Sequence, residues 1–231
     1  FYNAEEACKA VAEIFKHGIT PSGLEFMERD ALIWTKDFIG DAAIEIGDNH
    51  AAHLLIEVDG FNPDLLMEDC SKIMAVLEGF ETDEILFAES QAQKDTLWKL
   101  RRSVGEAVKA NSIYKEEDTV VPRFELPVLL HHIKRIGNEY GFKSVCYGHA
   151  GDGNLHVNII KGDLTDEQWS NELPEAIRAL FTEVVKLGGT LSGEHGIGLV
   201  QKPYMNIAFS DKSIDLMRGI KSTFDPNGIL N

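Results

Sequence analysis

The chain has 231 residues, of which 44% are hydrophobic and 26% charged. That is enough to bury a substantial core, and it places the chain with globular proteins. Lys plus Arg number 22 against 38 Asp plus Glu, a formal net charge of −16. This balance excludes a nucleic-acid footprint and repels anions at long range, so any anion site must be built locally from a cation or a metal.

No apolar run approaches the roughly 18 residues of a membrane span, and no signal-peptide pattern is present. The chain starts at Phe1 in mid-flow and reads as a piece of a longer polypeptide, so its original N-terminus and any targeting signal on it are not visible in this sequence. Cys8, Cys70 and Cys146 are odd in number and widely spaced. They suit core packing in a reducing compartment, so a cytoplasmic location is expected, with membrane contact only through partners.

Asn3 and Glu6 make a capping-box-like start to a helix that should end near Gly18. Leu24 and Phe26 read as a short strand, and Asp30 begins a helix through Trp34. A turn is expected at Asp48 and Asn49, then a strand from Leu54 to Val58. Asn62-Pro63 is an N-cap followed by proline, after which Leu66, Cys70, Ile73 and Leu77 recur at helical spacing. Ile85-Leu86-Phe87-Ala88 reads as the next strand.

Ser90 caps a long helix to about Ala110. Leu97, Leu100, Val104 and Val108 form one apolar stripe at 100° per residue. Arg101 falls inside the edge of that stripe and Arg102 outside it. An inward guanidinium needs a partner, either a structural carboxylate or a substrate carboxylate held by its planar fork. Thr119 to Pro122 reads as a short edge-type strand, and Leu126 to Ile136 as a helix. Thr165 to Leu187 is helical, with Pro174 as a break, and short helices start at Gln201 and Asp211.

Between these lies Val145 to Ile159. Tyr147 and His149 alternate on one strand face, Ala150 to Gly153 turn, and Asn154, His156 and Asn158 share a face of the returning strand. With a four-residue loop His149 lies opposite Asn154. His156 is then its diagonal neighbour, roughly 7–8 Å away, within reach of one ion. A glycine-rich loop, Gly188 to Gly198, carries Glu194 and His195 at its centre. Two histidines and a carboxylate make a three-ligand catalytic metal site. Adjacent residues seldom bind the same ion, so one of Glu194 and His195 stays free to move a proton.

The element order suggests an α+β domain: a ferredoxin-like double unit with mainly antiparallel sheet and helices on one face. No linker divides it, so residues 1–231 are expected to form one domain. There is no G-x-G-x-x-G after a strand and no Walker A sequence.

Gly148-His149-Ala150-Gly151-Asp152-Gly153-Asn154-Leu155-His156-Val157-Asn158 and Ser192-Gly193-Glu194-His195-Gly196-Ile197-Gly198 resemble the C-terminal half of the FAD-linked oxidase family. That family includes D-lactate dehydrogenases, the FAD subunit of glycolate oxidase and D-2-hydroxyglutarate dehydrogenase. Pro21 to Arg29 and Phe224 to Asn231 are similar too. The resemblance implies a flavin-dependent 2-hydroxy-acid dehydrogenase or oxidase, with FAD held by an N-terminal domain absent from this chain. It implies a metal on His149, His156 and Glu194, and a base at His195; these N and O ligands suit divalent zinc, manganese or iron. Arg101 and Lys115 would bind the substrate, and Asn231 would touch the flavin; Asn158, on the same strand face as His156, can hydrogen-bond the substrate as well. An electron-transfer subunit is a further expected partner. Gly105 stands where the hydroxyglutarate enzymes carry threonine, which puts lactate-like or glycolate-like substrates ahead, and the isolated chain is expected to be inactive. A metal-dependent hydrolase and a non-catalytic ligand-binding module are the alternatives.

Overall fold

In the computed structural model, which describes residues 1–40 and 46–230, Asn3 caps helix α1 (Ala4–Lys16). Its side chain accepts the N–H groups of Glu5 and Glu6. Strand β1 (Gly23–Glu28) follows, then α2 (Arg29–Ile39) and β2 (Ala52–Glu57). Helix α3 (Pro63–Leu77) has proline in its first turn, where the missing N–H costs nothing. Helix α4 (Gln91–Asn111) opens with a full capping box between Ser90 and Gln93. Strand β3 (Tyr114–Val120), α5 (Leu126–Tyr140), β4 (Lys143–Gly148) and β5 (Asn154–Ile160) complete the sheet. The C-terminal part holds α6 (Leu173–Lys186), α7 (Met205–Ala208) and α8 (Asp211–Phe224).

The five strands lie in the order β2-β1-β4-β5-β3, each antiparallel to its neighbour. This is the expected α+β class. Leu24, Phe26, Cys146, Leu155, Val157 and Ile159 point to one face, where they meet buried residues of α1, α5 and α6. That is the main helical layer. A smaller cluster occupies part of the other face, where Met27, Val145 and Tyr147 meet Ala31, Leu32, Leu100, Val104 and Val108. Helices α2 and α4 therefore cover that side as well, beyond the one-face layer expected. Leu100, Arg101, Val104 and Val108 are buried and Arg102 is exposed, as the stripe predicts.

Two local expectations are corrected, and the expected break at Pro174 takes a definite form. Ile85 to Ala88 forms no strand, and Leu86 and Phe87 are exposed. An apolar run supplies the side chains of a strand but not the neighbour that must pair with it. The strand expected over Thr119 to Pro122 starts earlier, at Tyr114, and stops at Val120. Three consecutive acids, Glu116, Glu117 and Asp118, disguise its alternation. The helix expected from Thr165 breaks before Pro174: a π turn spans Gln168–Glu172, and Pro174 sits in the first turn of α6. No helix of the described residues is long and apolar enough to cross a membrane. Cys8, Cys70 and Cys146 are all free thiols, the first and last fully inside the core.

Candidate active site

The β4–β5 hairpin closes in the expected register. Tyr147 pairs with His156, and the Asn154 N–H reaches the His149 carbonyl at 3.2 Å. A 3-10 turn at Ala150–Asp152 makes the reversal. It ends on Gly153 at φ 78°, where a Cβ would stand 2.0 Å from the Val121 carbonyl oxygen. Only glycine fits both constraints. His149 and His156 thus share a face, with ring centroids 6.0 Å apart.

The glycine-rich loop is fixed to the edge strand β3 by one buried carboxylate. Asp118 Oδ2 accepts the backbone N–H groups of Glu194 and His195 and the hydroxyl of Ser192, each at 2.8 Å. Its Oδ1 accepts from Asn154 Nδ2 at 2.6 Å. A Cβ on Gly193 would lie 2.0 Å from that same Asn154 nitrogen, so the loop can approach only because the residue there is glycine. Burial would raise the Asp118 carboxyl, but these donors hold it down to about 2.

So held, Glu194 faces both histidines. Its Oε1 is 3.3 Å from His156 Nε2 and 3.7 Å from His149 Nε2. Donors about 2.1 Å from a tetrahedral ion are separated by roughly 3.4 Å, so these spacings are those of ligands around one cation. The site also sets four carboxylates, of Glu25, Glu116, Asp118 and Glu194, about one guanidinium, Arg101. That charge balance favours a divalent cation, so the residues present fit the implied metal. Burial lowers His156 to about 4, which keeps its imidazole neutral and able to ligate. Its Nδ1 is buried without a hydrogen bond, 3.3 Å from Glu116 Oε1. A second arrangement, of Glu116, His156 and His195, also has ligand atoms within 4.8 Å of one another.

His195 stacks on His156 with centroids 5.0 Å apart and planes 19° apart. Its Nε2 is 3.9 Å from Glu194 Oε1, and its side chain is half exposed. A cleft of ≈ 250 Å³ is lined by His149, Asn154, Gly193 and Glu194.

Of the expected substrate groups, Arg101 reaches the site but is not a free clamp. Its Nε and Nη2 lie 2.8 and 2.7 Å from Glu25 Oε2. Its guanidinium also stands over the Tyr147 ring, 5.4 Å from the centroid. Glu25 Oε1 accepts from His149 Nδ1 at 2.8 Å, and this bond raises the His149 pKa above its ordinary value. Asn158 lies on the site face but is fully buried, donating to the Val145 carbonyl at 3.3 Å.

Lys115 is not brought in. Strand alternation turns it to the opposite face with Glu117, whose Oε1 is 3.4 Å away. Asn231 lies outside the described residues. Glu25, Glu116 and Asp118 were missed from the sequence. The available signal was parity: in a strand whose Leu24 and Phe26 face the core, Glu25 must face the other way.

A family model described as FAD linked oxidases, C-terminal domain, matches residues 1–231. The chain is 32% identical over its whole length to a D-lactate dehydrogenase of Anaerostipes hadrus, covering 50% of that protein. It is also 32% identical over its whole length to the glycolate oxidase subunit GlcD of Bacillus subtilis, covering 48%. A D-2-hydroxyglutarate dehydrogenase of Stutzerimonas stutzeri is 35% identical over 68% of the chain, which covers 34% of that protein. The chain thus spans about half the length of the curated relatives matched end to end. Among solved structures, a 4-ethylphenol oxidase from Gulosibacter chungangensis shares the fold, with TM-score 0.51 and 12% identity over 90% of this chain and 46% of that one.

Proposed function

The chain belongs to the FAD-linked oxidase C-terminal domain family, and we propose that it is the substrate-binding half of a flavin enzyme. That enzyme oxidises a D-2-hydroxy acid of the lactate or glycolate type to the 2-oxo acid. The observation that carries this reading is the convergence of His149, His156 and Glu194 on one point, with His195 and Arg101 beside it. The names of the relatives support the substrate class.

In this reading His149 Nε2, His156 Nε2 and a Glu194 oxygen hold a divalent ion. When bound, that ion supplies a Lewis acid that eases loss of the substrate hydroxyl proton. His195 Nε2 takes that proton as the general base, its ring stacked on His156 and next to Glu194. FAD, held by a preceding domain of the same polypeptide, supplies the acceptor for the hydride from the same carbon. The half-exposed Glu194 and His195 leave a face for that domain to cover. Arg101 grips the substrate carboxylate through Nη1, the guanidinium nitrogen that is not set against Glu25. Passing electrons on to a separate subunit and an association with the membrane surface through it belong to the same proposal.

The test is the full-length protein with FAD and a dye acceptor, assayed on D- and L-lactate, glycolate and D-2-hydroxyglutarate, with and without chelator. Chelator-sensitive turnover of D-lactate or glycolate is expected. Hydrolysis of esters or peptides without flavin, or activity untouched by His195→Ala, would overturn the reading.

A further inference from the structure

Glu25 is 4% exposed in the middle of β1, and its carboxylate is divided between two partners. Oε2 lies against Nε and Nη2 of Arg101, and Oε1 accepts from Nδ1 of His149. A carboxylate cannot donate, so the proton of that bond sits on Nδ1. The His149 Nε2 lone pair is then free and faces Glu194 Oε1, 3.7 Å away. A simple counter-ion for Arg101 would not need its second oxygen to fix an imidazole tautomer. The guanidinium is set by the same group, between Glu25 and the Tyr147 ring.

We propose that Glu25 is a positioning residue that orients His149 as a metal ligand and Arg101 as a substrate clamp from one carboxylate. The distance between cation and clamp is thereby fixed by a single side chain. This rests on the metal and hydroxy-acid reading of the site. Outer carboxylates on ligand histidines fix ring orientation and raise ligand basicity, and their loss typically costs about 10–100-fold in metal affinity.

The experiment uses metal-stripped full-length protein carrying FAD. Zn2+ affinity is measured by chelator competition, and the Co2+ form gives an absorption spectrum. Glu25→Gln keeps the shape and loses the charge; Glu25→Asp keeps the charge and shortens the reach. Melting curves establish that each variant is folded. Both variants are expected to lose about tenfold or more in Zn2+ affinity, with an altered Co2+ spectrum. Folded variants that bind Zn2+ within twofold of wild type would overturn the role of Glu25. Wild-type protein that binds neither ion would instead overturn the site reading itself, and Glu25's role with it.

Discussion

Asp118 Oδ2 accepts the backbone N–H of His195 at 2.8 Å, so an edge strand determines where the candidate base stands. Sequence separates the two residues widely, and the contact exists only because β3 runs beside β5. The same oxygen holds Glu194 and Ser192, which makes the loop a consequence of one buried carboxylate.

Asp118 should therefore give the fold an acid-sensitive component. Its folded pKa is depressed from 3.8 to about 2, so the stabilisation is fully present above about pH 4. It is lost as pH falls from about 4 to about 2, and amounts to about 2 kcal/mol. Denaturant unfolding of full-length protein across that range should show the loss in wild type and not in Asp118→Asn. The variant should also bind Zn2+ more weakly at neutral pH.

Proton competition for the metal should come from His149 rather than His156. Burial keeps His156 neutral down to about pH 4, whereas the Glu25 hydrogen bond raises the His149 pKa. Zn2+ affinity should be greatest above the His149 pKa. Below it, affinity should fall about tenfold per pH unit, the slope of one proton released. Competition titrations between pH 5 and 8 measure that slope; a slope of two protons would mean that both histidines titrate together.

Gly193→Ala should cost stability and activity together. The added methyl would meet Asn154 Nδ2 at 2.0 Å and Asp118 Oδ1 at 2.9 Å, both held in the hydrogen-bonded anchor of the loop. Overpacking of this kind typically costs about 1–3 kcal/mol. Gly196→Ala is the control for space, since nothing lies within 4 Å of a Cβ there, although its φ of 82° also penalises a side chain. The drop in Zn2+ affinity should follow Gly193 alone.

Arg101→Ala and Lys115→Ala should separate a site residue from a structural one. Loss of Arg101 leaves Glu25 buried with only His149 as partner and should destabilise the fold by about 3–5 kcal/mol, with a raised KM. Loss of Lys115 removes a partner of Glu117 on the far face, where Gln201 still donates to it. About 1 kcal/mol of stability should go, with KM for the hydroxy acid unchanged. Urea unfolding and steady-state kinetics on the full-length protein read both.

Much of the site was already written along the chain. The alternation of Tyr147, His149, His156 and Asn158, together with a turn that only glycine can make, dictates that two imidazoles converge, because side chains repeat every second residue in a strand. The stripe on α4 likewise dictated that Arg101 points inward. What Arg101 meets there was decided by tertiary structure, since either a substrate or a carboxylate satisfies a guanidinium equally well in sequence. Glu25 fills that place because β1 lies next to β4, a pairing no local periodicity encodes. The same holds for Asp118 beneath the glycine-rich loop, and for Ile85 to Ala88, whose strand-like composition finds no neighbour. Lys115 shows the sharper limit. Local pattern says which residues share a face, but strand order and a one-residue change in parity decide which face looks onto the chemistry.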